Sequence, residues 1–252
     1  MLINQQIKKF GVLNQWFRTP LGLSVAQEFK HILKALPTPL KGDTLLQLGN
    51  CGNNLWLAPL AFNHKWIASP FRIHHPNQIE CSLNQLPLVR NSIDCVLAPL
   101  TLEPFNDSFS LLDEIDRILK PMGHVVFISI NPWSLWGAAM KCGFIHCYDQ
   151  NKIKMRTPYY LNRIFLQRGY KQCSLIPFSY IPPINNQKFI DTLSFLNEIG
   201  KMLWPLPSGL YCYIAQKYEY IQPSFICDPK LKPRPGDYIA PLHPAIGKVK
   251  HP

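Results

Sequence analysis

Two glycines that follow an apolar run are the first candidates for a ligand-binding element. The run Leu45–Leu48 is a predicted strand, and Gly49 and Gly52 come directly after it. A loop that turns sharply and brings its backbone close to a ligand favours glycine, which has no Cβ. A G-x-x-G sequence after a strand is by itself more often a plain turn, so both interpretations stay open at this point.

Polar side chains also follow two later apolar runs. Glu103 comes after the run 93–98, and Asn131 comes directly after the run 124–130. At the mouth of a ligand site, Glu103 could act as a base or attract a cationic substrate. The alternatives are a solvated loop acid for Glu103 and, for Asn131, the cap of a helix whose first turn holds Pro132.

Cysteine and histidine show no recognisable metal-binding spacing. Cys142 and His146 form a single i, i+4 pair beside Cys147, and His74 is followed by His75, whereas structural zinc usually has paired C-x₂₋₄-C knuckles. Buried thiols and surface histidines are the favoured interpretation, and no metal is predicted. The sequence also has no G-x-S-x-G elbow, P-loop or H-E-x-x-H motif, which argues against hydrolases and nucleotide triphosphatases.

The elements that would position these residues alternate between strand-like and helix-like runs. Near-continuous apolar strands indicate a parallel sheet that is covered on both faces. The predicted fold is therefore α/β, a doubly wound, mostly parallel sheet with helices on both faces and a ligand site at the carboxyl ends of its strands. Predicted strands cover residues 44–49, 65–68, 93–98, 124–130, 170–177 and 210–217, and predicted helices cover 14–36 with a break near Pro20, 107–120 with Asp107 as N-cap, 158–169 and 187–203.

The chain divides into three predicted regions. Its 252 residues are 47% hydrophobic and 16% charged, which indicates a folded protein. Residues 1–40 form a predicted N-terminal helical segment, and residues 41–220 form the main domain. Residues 221–252 form a proline-rich basic tail that is predicted to be disordered.

Charge and cysteine usage bear on partners and compartment. The net charge of +11 suits an anionic partner, but the basic residues are scattered, so nucleic acid is only weakly supported. No apolar run reaches the ~18 residues of a membrane span, so a membrane is not a predicted partner. The eight irregularly spaced cysteines indicate reduced thiols and a cytoplasmic protein.

Several segments together resemble one enzyme family. The stretch 45–53 (LLQLGNCGN) is similar to a strand followed by a glycine loop, and Leu86-Pro87, 92–97 (SIDCVL) and 112–126 (LDEIDRILKPMGHVV) follow in order. These segments resemble the L-P-F, S-F-D-x-V and E-x-x-R-V-L-K-P-G-G stretches of the class I S-adenosylmethionine-dependent methyltransferases, type 11 group. The stretch 131–137 (NPWSLWG) is similar to a proteobacterial subgroup of methyltransferase-like proteins. The resemblance implies a Rossmann-like methyltransferase fold with S-adenosylmethionine as cofactor.

The resemblance also implies where the cofactor would bind. Glu103 and Asn131 are its candidate catalytic residues. The predicted cofactor-binding residues are Gln47, Gly49, Asn50, Cys51, Gly52, Ser69, Phe71, Ser82, Leu83, Pro99 and Leu100.

Three of those positions usually carry an acid in the family. They are Gln47, near the cofactor's amino group, Ser69, at the ribose, and Ser82, at the adenine amine. A hydrogen bond to a charged group contributes about 1.5 to 3 kcal/mol. We therefore expect weakened cofactor binding unless backbone groups and these three side chains compensate.

The function that the sequence predicts is methyl transfer from S-adenosylmethionine by a degenerate site, to a small-molecule or macromolecular acceptor that it does not identify. The alternative is a catalytically inactive methyltransferase-fold binding protein, and a third is a nucleic-acid-binding protein. Asn131-Pro132-Trp133 is similar to the Asn-Pro-Pro-aromatic loop of nucleobase amine methyltransferases. It follows the run 124–130 instead of the preceding strand, which argues against that activity.

Overall fold

The computed structural model of the chain describes residues 1–72, 75–105, 109–148, 153–202 and 207–218. All of them belong to one compact unit that is bounded by Met1 and Glu219. The predicted cap at Asp107, the Cys227 thiol and the tail 221–252 lie outside the described residues.

The described residues form helices and strands that alternate for most of the chain. Within these ranges, no helix combines the length and the apolar character needed to cross a membrane. In chain order the elements are α1 (Ile3–Trp16), α2 (Pro20–Lys34), β1 (Gly42–Leu48), a 3₁₀ helix (Leu55–Leu57), β2 (Phe62–Ser69), β3 (Gln78–Glu80), β4 (Ile93–Pro99), α3 (Phe109–Ile118), β5 (Leu119–Ile130), α4 (Leu135–Lys141), α5 (Pro158–Gln167), β6 (Tyr170–Phe178), α6 (Gln187–Leu193), α7 (Phe195–Met202) and β7 (Leu210–Lys217).

The strands form one twisted sheet in the order β3-β2-β1-β4-β5-β7-β6. Pairing is parallel from β3 to β5, and β7 runs antiparallel to both β5 and β6. The chain builds outward from β1 to β3 and then crosses back to β4, so the strand order reverses between β1 and β4. The predicted doubly wound, mostly parallel α/β sheet is confirmed, and its switch point is the expected place for a ligand.

The interior strands are buried toward their carboxyl ends. Leu45, Leu46 and Leu48 of β1 are fully buried, as are the residues from Cys95 to Ala98 in β4 and from Val125 to Ile130 in β5. Burial on both faces explains why these strands read as continuous apolar runs and show no alternation.

Two helices begin at the same dipeptide. Thr19 and Thr157 each accept a backbone hydrogen bond from the third residue after them, and Pro20 and Pro158 occupy the first helical position. A threonine cap followed by proline is a strong helix start because both residues satisfy or remove unpaired backbone N–H groups. In α2 this start places Val25, Ala26, Phe29 and Leu33 on the buried face.

Several predicted boundaries were wrong. The predicted broken helix 14–36 is two helices that begin at Ile3 and Pro20, and the predicted helix 187–203 is interrupted at Ser194. Asn131 does not cap a helix over Pro132. The cap of α4 is Ser134, whose side chain accepts from the Gly137 N–H. The helix predicted after Asn131 begins three residues later than Pro132, at Leu135. The short strand β3 was not predicted, because it is too short to show a period.

Candidate functional site

The glycine loop lies at the end of β1, beside the point where the strand order reverses. Gly49 has φ 81° and Gly52 has φ 59°, a left-handed conformation that glycine adopts without strain. The Gly49 N–H donates to the Ala68 carbonyl of β2 at 2.8 Å, and the Thr101 hydroxyl donates to the Leu48 carbonyl at 3.1 Å. The loop is thus tied to the carboxyl ends of both neighbouring strands.

The N–H groups of this loop are satisfied by side chains of the chain itself. The Cys51 N–H donates to Oδ1 of Asn54 at 3.0 Å, and the Gly52 N–H donates to Oδ1 of Asn14 in α1 at 2.9 Å. The Asn50 side chain donates to the same Asn14 oxygen at 2.9 Å. In this conformation these amides are therefore engaged within the protein.

Gln47 is completely buried and uses both ends of its amide. Its Nε2 donates to the Gly49 carbonyl at 2.8 Å and to Oδ1 of Asn54 at 2.6 Å. Its Oε1 accepts from Nε1 of Trp56 at 2.8 Å. A carboxylate has no proton to give to those two oxygens, which explains why glutamine suits this position.

The loop after β2 holds the residues predicted to lie near the ribose and the adenine. Ser69 is buried, and its hydroxyl oxygen accepts from the Phe71 N–H at a long 3.4 Å. Phe71 is half-buried, and its carbonyl accepts from the Gln78 side chain at 2.8 Å. A partly exposed aromatic ring is a group on which a base can stack.

The Ser82–Asn84 segment is covered by α1. Gln6 is fully buried, and its Nε2 donates to Oγ of Ser82 at 2.9 Å and to Oδ1 of Asn84 at 3.1 Å. The Leu83 N–H donates to Oε1 of Gln6 at 2.9 Å. Gln6 could not be predicted from the sequence, because no local signal connects residues that are 76 positions apart.

Pro99 is the last residue of β4, and Leu100 and Glu103 follow it in the next loop. All three are buried. Leu100 has φ 50°, which is strained for a residue with a Cβ and is a feature that clusters at functional sites. Oε1 of Glu103 accepts from the Ile130 N–H at 3.1 Å, which joins this loop to the end of β5. Burial raises the pKa of Glu103, against the lowering effect of the Ile130 N–H and the Arg156 guanidinium.

The loop after β5 presents different groups. Oδ1 of Asn131 accepts from the Trp133 N–H at 3.2 Å, so the asparagine makes a local turn. Trp133 is 80% exposed, whereas Trp136 is buried and donates to the Ile181 carbonyl at 2.8 Å. The two tryptophans of this segment therefore differ, since Trp136 packs in the core and Trp133 faces outward.

The structure brings most of the predicted cofactor-binding residues together at one end of the sheet. Nine of the eleven are buried, and Phe71 and Ser82 are partly exposed. We call the loops 49–54, 69–71, 82–84 and 99–103 the cleft. Side chains of α1 contact these loops, through Gln6 at Ser82 and Leu83 and through Asn14 at Gly52.

A metal ion would need a group of ligating side chains that lie close together. Within the part of the chain that the structure describes, no group of three or more His, Cys, Asp or Glu side chains could hold a metal ion.

Comparisons with known proteins agree with the topology. Residues 58–127 match the Methyltransferase domain family Methyltransf_11, a match that begins after the glycine loop. A chain from the Haloferax volcanii complex of a methyltransferase with its activator is 14% identical, with a TM-score of 0.58 over 82% of this chain and 98% of that one. A Thermotoga maritima SAM-dependent methyltransferase is also 14% identical, with a TM-score of 0.55 over 85% and 98%. The fold is that of the Rossmann-like class I methyltransferases.

One curated protein is similar in sequence. Uncharacterized protein YafS from Escherichia coli is 29% identical over 122 residues, which is 48% of this chain. The matched region spans 50% of the length of YafS.

Proposed function

We propose that this protein is an S-adenosylmethionine-dependent methyltransferase whose cofactor binds in the cleft. One observation carries the proposal, namely that the loop with Gly49 and Gly52 in left-handed conformation follows an interior strand at the switch point of the sheet. In open α/β sheets this is the place where ligands bind. Membership of the proteobacterial subgroup rests on the sequence segment 131–137.

The proposed roles follow the positions of the side chains. Phe71 stacks on the adenine, and the Leu83 N–H and Ser82 hydroxyl recognise its edge. The loop 49–52 faces the methionine portion. Glu103 and Asn131 border the acceptor side, at the ends of β4 and β5. The acceptor is a small molecule or a macromolecule.

The compartment that suits this proposal is the cytoplasm, where thiols stay reduced. Seven cysteines are free thiols in the described residues, and burial raises the pKa of Cys51, Cys95 and Cys212 well above that of an ordinary thiol. Thiols in such surroundings are inert, and we assign them no part in the reaction.

A second candidate is the catalytically inactive methyltransferase-fold binding protein. It is favoured by Gln47, which is fully engaged by Gly49, Asn54 and Trp56 where the family usually has an acid. Restoring an acid there would leave the Gly49 and Asn54 oxygens without a donor, so that substitution does not separate the two candidates.

Calorimetric titration with S-adenosylmethionine separates them. We expect one saturable site in the full chain. Phe71→Ala should weaken binding at least about fivefold, because base–aromatic stacking contributes ~1 to 3 kcal/mol. Phe189→Ala is the matched control, since Phe189 is 51% exposed in α6, and it should bind like the native chain. Gln6→Ala is titrated as well, because it frees the Ser82 hydroxyl and the Leu83 N–H from Gln6. If neither the native chain nor Gln6→Ala shows saturable heat at millimolar ligand, the result supports the binding-protein candidate.

A further inference from the structure

We propose that α1 is an internal competitor of the cofactor, so that ligand binding requires α1 to leave the cleft. This inference rests on the proposed function, because it concerns the same site. In this proposal Gln6 lies where the adenine would bind. Phe10 lies where the central part of the cofactor would bind, and Asn14 lies where its methionine end would bind.

At the adenine end, Gln6 makes the hydrogen bonds that a base would make. Its Nε2 donates to Ser82 and Asn84, and its Oε1 accepts from the Leu83 N–H. A primary amide presents an NH₂ donor beside an acceptor, and the amine and neighbouring ring nitrogen of adenine present the same pair in the same order. The Leu83 N–H cannot serve both partners at full strength, so Gln6 and an adenine exclude each other.

At the other end, Asn14 replaces an anionic group. Its Oδ1 accepts from the Gly52 N–H and from the Asn50 side chain, both at 2.9 Å, as a carboxylate oxygen would. Gln6 and Asn14 are eight residues apart, roughly 12 Å along a helix. An extended S-adenosylmethionine molecule has a comparable length, so one helix face covers both of its ends.

Apolar side chains fill the space between those ends. A Cβ added at Gly49 would lie 3.0 Å from the ring of Phe10, and one added at Gly52 would lie 3.1 Å from Cβ of Phe17, just beyond α1. Phe10 and Leu13 are fully buried. Gly49 and Gly52 would let a ligand lie against their backbone. In this structure Phe10 and Phe17 of the N-terminal segment lie there instead.

The intrinsic stability of α1 as a helix is low. Its N-cap position, Leu2, makes no side-chain capping bond, and its first turn has no acidic residue. Gly11 lies in its interior, where a Cβ would meet nothing within 4 Å. A capless 14-residue helix with an interior glycine depends on tertiary contacts for its stability, such as the bond from Lys9 to the Pro104 carbonyl at 2.9 Å. A ligand that binds only the open state can displace such a helix.

The first test compares two glutamines of α1 in the full chain by calorimetric titration with S-adenosylhomocysteine. Gln6→Ala removes the side chain that competes at Ser82 and Leu83, so binding should tighten at least fivefold. Gln5→Ala is the matched control, because Gln5 is exposed on the same helix, and its affinity should stay within twofold of the native chain.

The second test moves the affinity in the opposite direction. Gly11→Ala stabilises α1 as a helix without a clash, and the helix preference of alanine over glycine corresponds to about fivefold in an equilibrium. Binding of S-adenosylhomocysteine should weaken by about that factor. This variant adds helix stability, so it keeps the proposal testable even if Gln6→Ala fails to fold.

The outcomes distinguish this inference from the proposed function. If the native chain binds and both Gln6→Ala and Gly11→Ala bind equally well, α1 is not a competitor, while the proposed function is supported. If none of the folded variants binds at millimolar ligand, the cleft is not a cofactor site and both proposals fail. Opposite shifts in the two variants support the competition.

Discussion

At the residue scale, Gln47 shows how the cleft is stabilised from beneath. It links the Gly49 carbonyl, Asn54 and Trp56 in a buried set of hydrogen bonds, and Asn54 itself has φ 48°. Asparagine tolerates this left-handed conformation better than most residues. The shape of the glycine loop is therefore supported by Gln47 as well as by its glycines.

Replacing Gln47 should therefore destabilise the protein. Gln47→Leu keeps the approximate volume but leaves the Trp56 N–H and the Gly49 carbonyl buried without partners. We expect the free energy of unfolding to fall by about 2 kcal/mol, since one buried unsatisfied polar group costs ~1 to 3 kcal/mol. Chemical denaturation measures this, with Gln5→Leu as the exposed control. Equal stability of the two variants would contradict the role given to Gln47.

Glu103 gives a pH-dependent prediction. Burial raises its pKa in the folded state above the ordinary value of 4.5, so the folded protein holds this proton more tightly than the unfolded chain. The stability that Glu103 contributes is therefore complete below the unfolded pKa and is lost as the pH rises through the folded pKa.

Glu103→Gln removes this titration and keeps an oxygen that can accept from the Ile130 N–H. Unfolding free energies of the native chain and the variant should be compared between pH 4 and pH 8. We expect the native value to fall relative to the variant as the pH rises. The prediction is contradicted if the difference in unfolding free energy between the native chain and the variant stays constant with pH or changes in the opposite direction. Either result would show that burial does not destabilise the ionised Glu103 carboxylate.

At the scale of elements, the turn between α1 and α2 determines where α1 lies. Gly22 sits where a Cβ would be 2.2 Å from the Trp16 carbonyl oxygen at the end of α1. The Thr19 hydroxyl donates to that same carbonyl and accepts from the Gly22 N–H. The end of α1 and the start of α2 are therefore in direct backbone contact, and hydrogen bonds through Thr19 hold them together.

Two helical glycines should consequently respond in opposite ways to alanine. Gly22→Ala forces backbone apart and should lower the free energy of unfolding by more than 2 kcal/mol, an effect in the range of overpacked core sites. Gly11→Ala should be neutral or stabilising by up to ~1 kcal/mol. Thermal and chemical denaturation compare them directly. A tolerated Gly22→Ala would mean that the α1–α2 turn has more freedom than its close contact indicates.

The strand β5 should be the most protected element against amide exchange. It pairs with β4 on one side and β7 on the other, and the residues from Val125 to Ile130 are buried. Their amides should exchange only by global unfolding, whereas those of the edge strand β3 should exchange faster. Rapid exchange across β5 would contradict its interior position.

The sequence predicted those elements whose signal is local. The strands β4, β5 and β7 could be predicted from apolar runs, and the buried face of α2 could be predicted from the helical spacing of Ala26, Phe29 and Leu33. The contacts of α1 with the cleft could not be predicted, because Gln6 and Asn14 contact residues 76 and 38 positions away. The hydrogen bond from Trp56 to Gln47 could not be predicted either, because a tryptophan near a glycine loop has no characteristic spacing.

At the scale of the whole molecule, the described residues up to 218 form the folded unit. The tail 221–252 remains a sequence prediction of an extended proline-rich segment. Deleting residues 224–252 should change the melting temperature by less than a few degrees, because a segment without a core contributes little buried area. A larger drop in a thermal scan would mean that the tail packs on the domain.

The central claim is that the cleft at the end of β1 binds the cofactor once α1 moves away. Amide hydrogen exchange of the full chain, with and without S-adenosylhomocysteine, tests it most directly. We predict slower exchange at Gly52 and Leu83 in the presence of ligand and faster exchange along α1, whose contacts with both residues would be lost. Unchanged exchange at Gly52, Leu83 and α1 with millimolar ligand would contradict the claim.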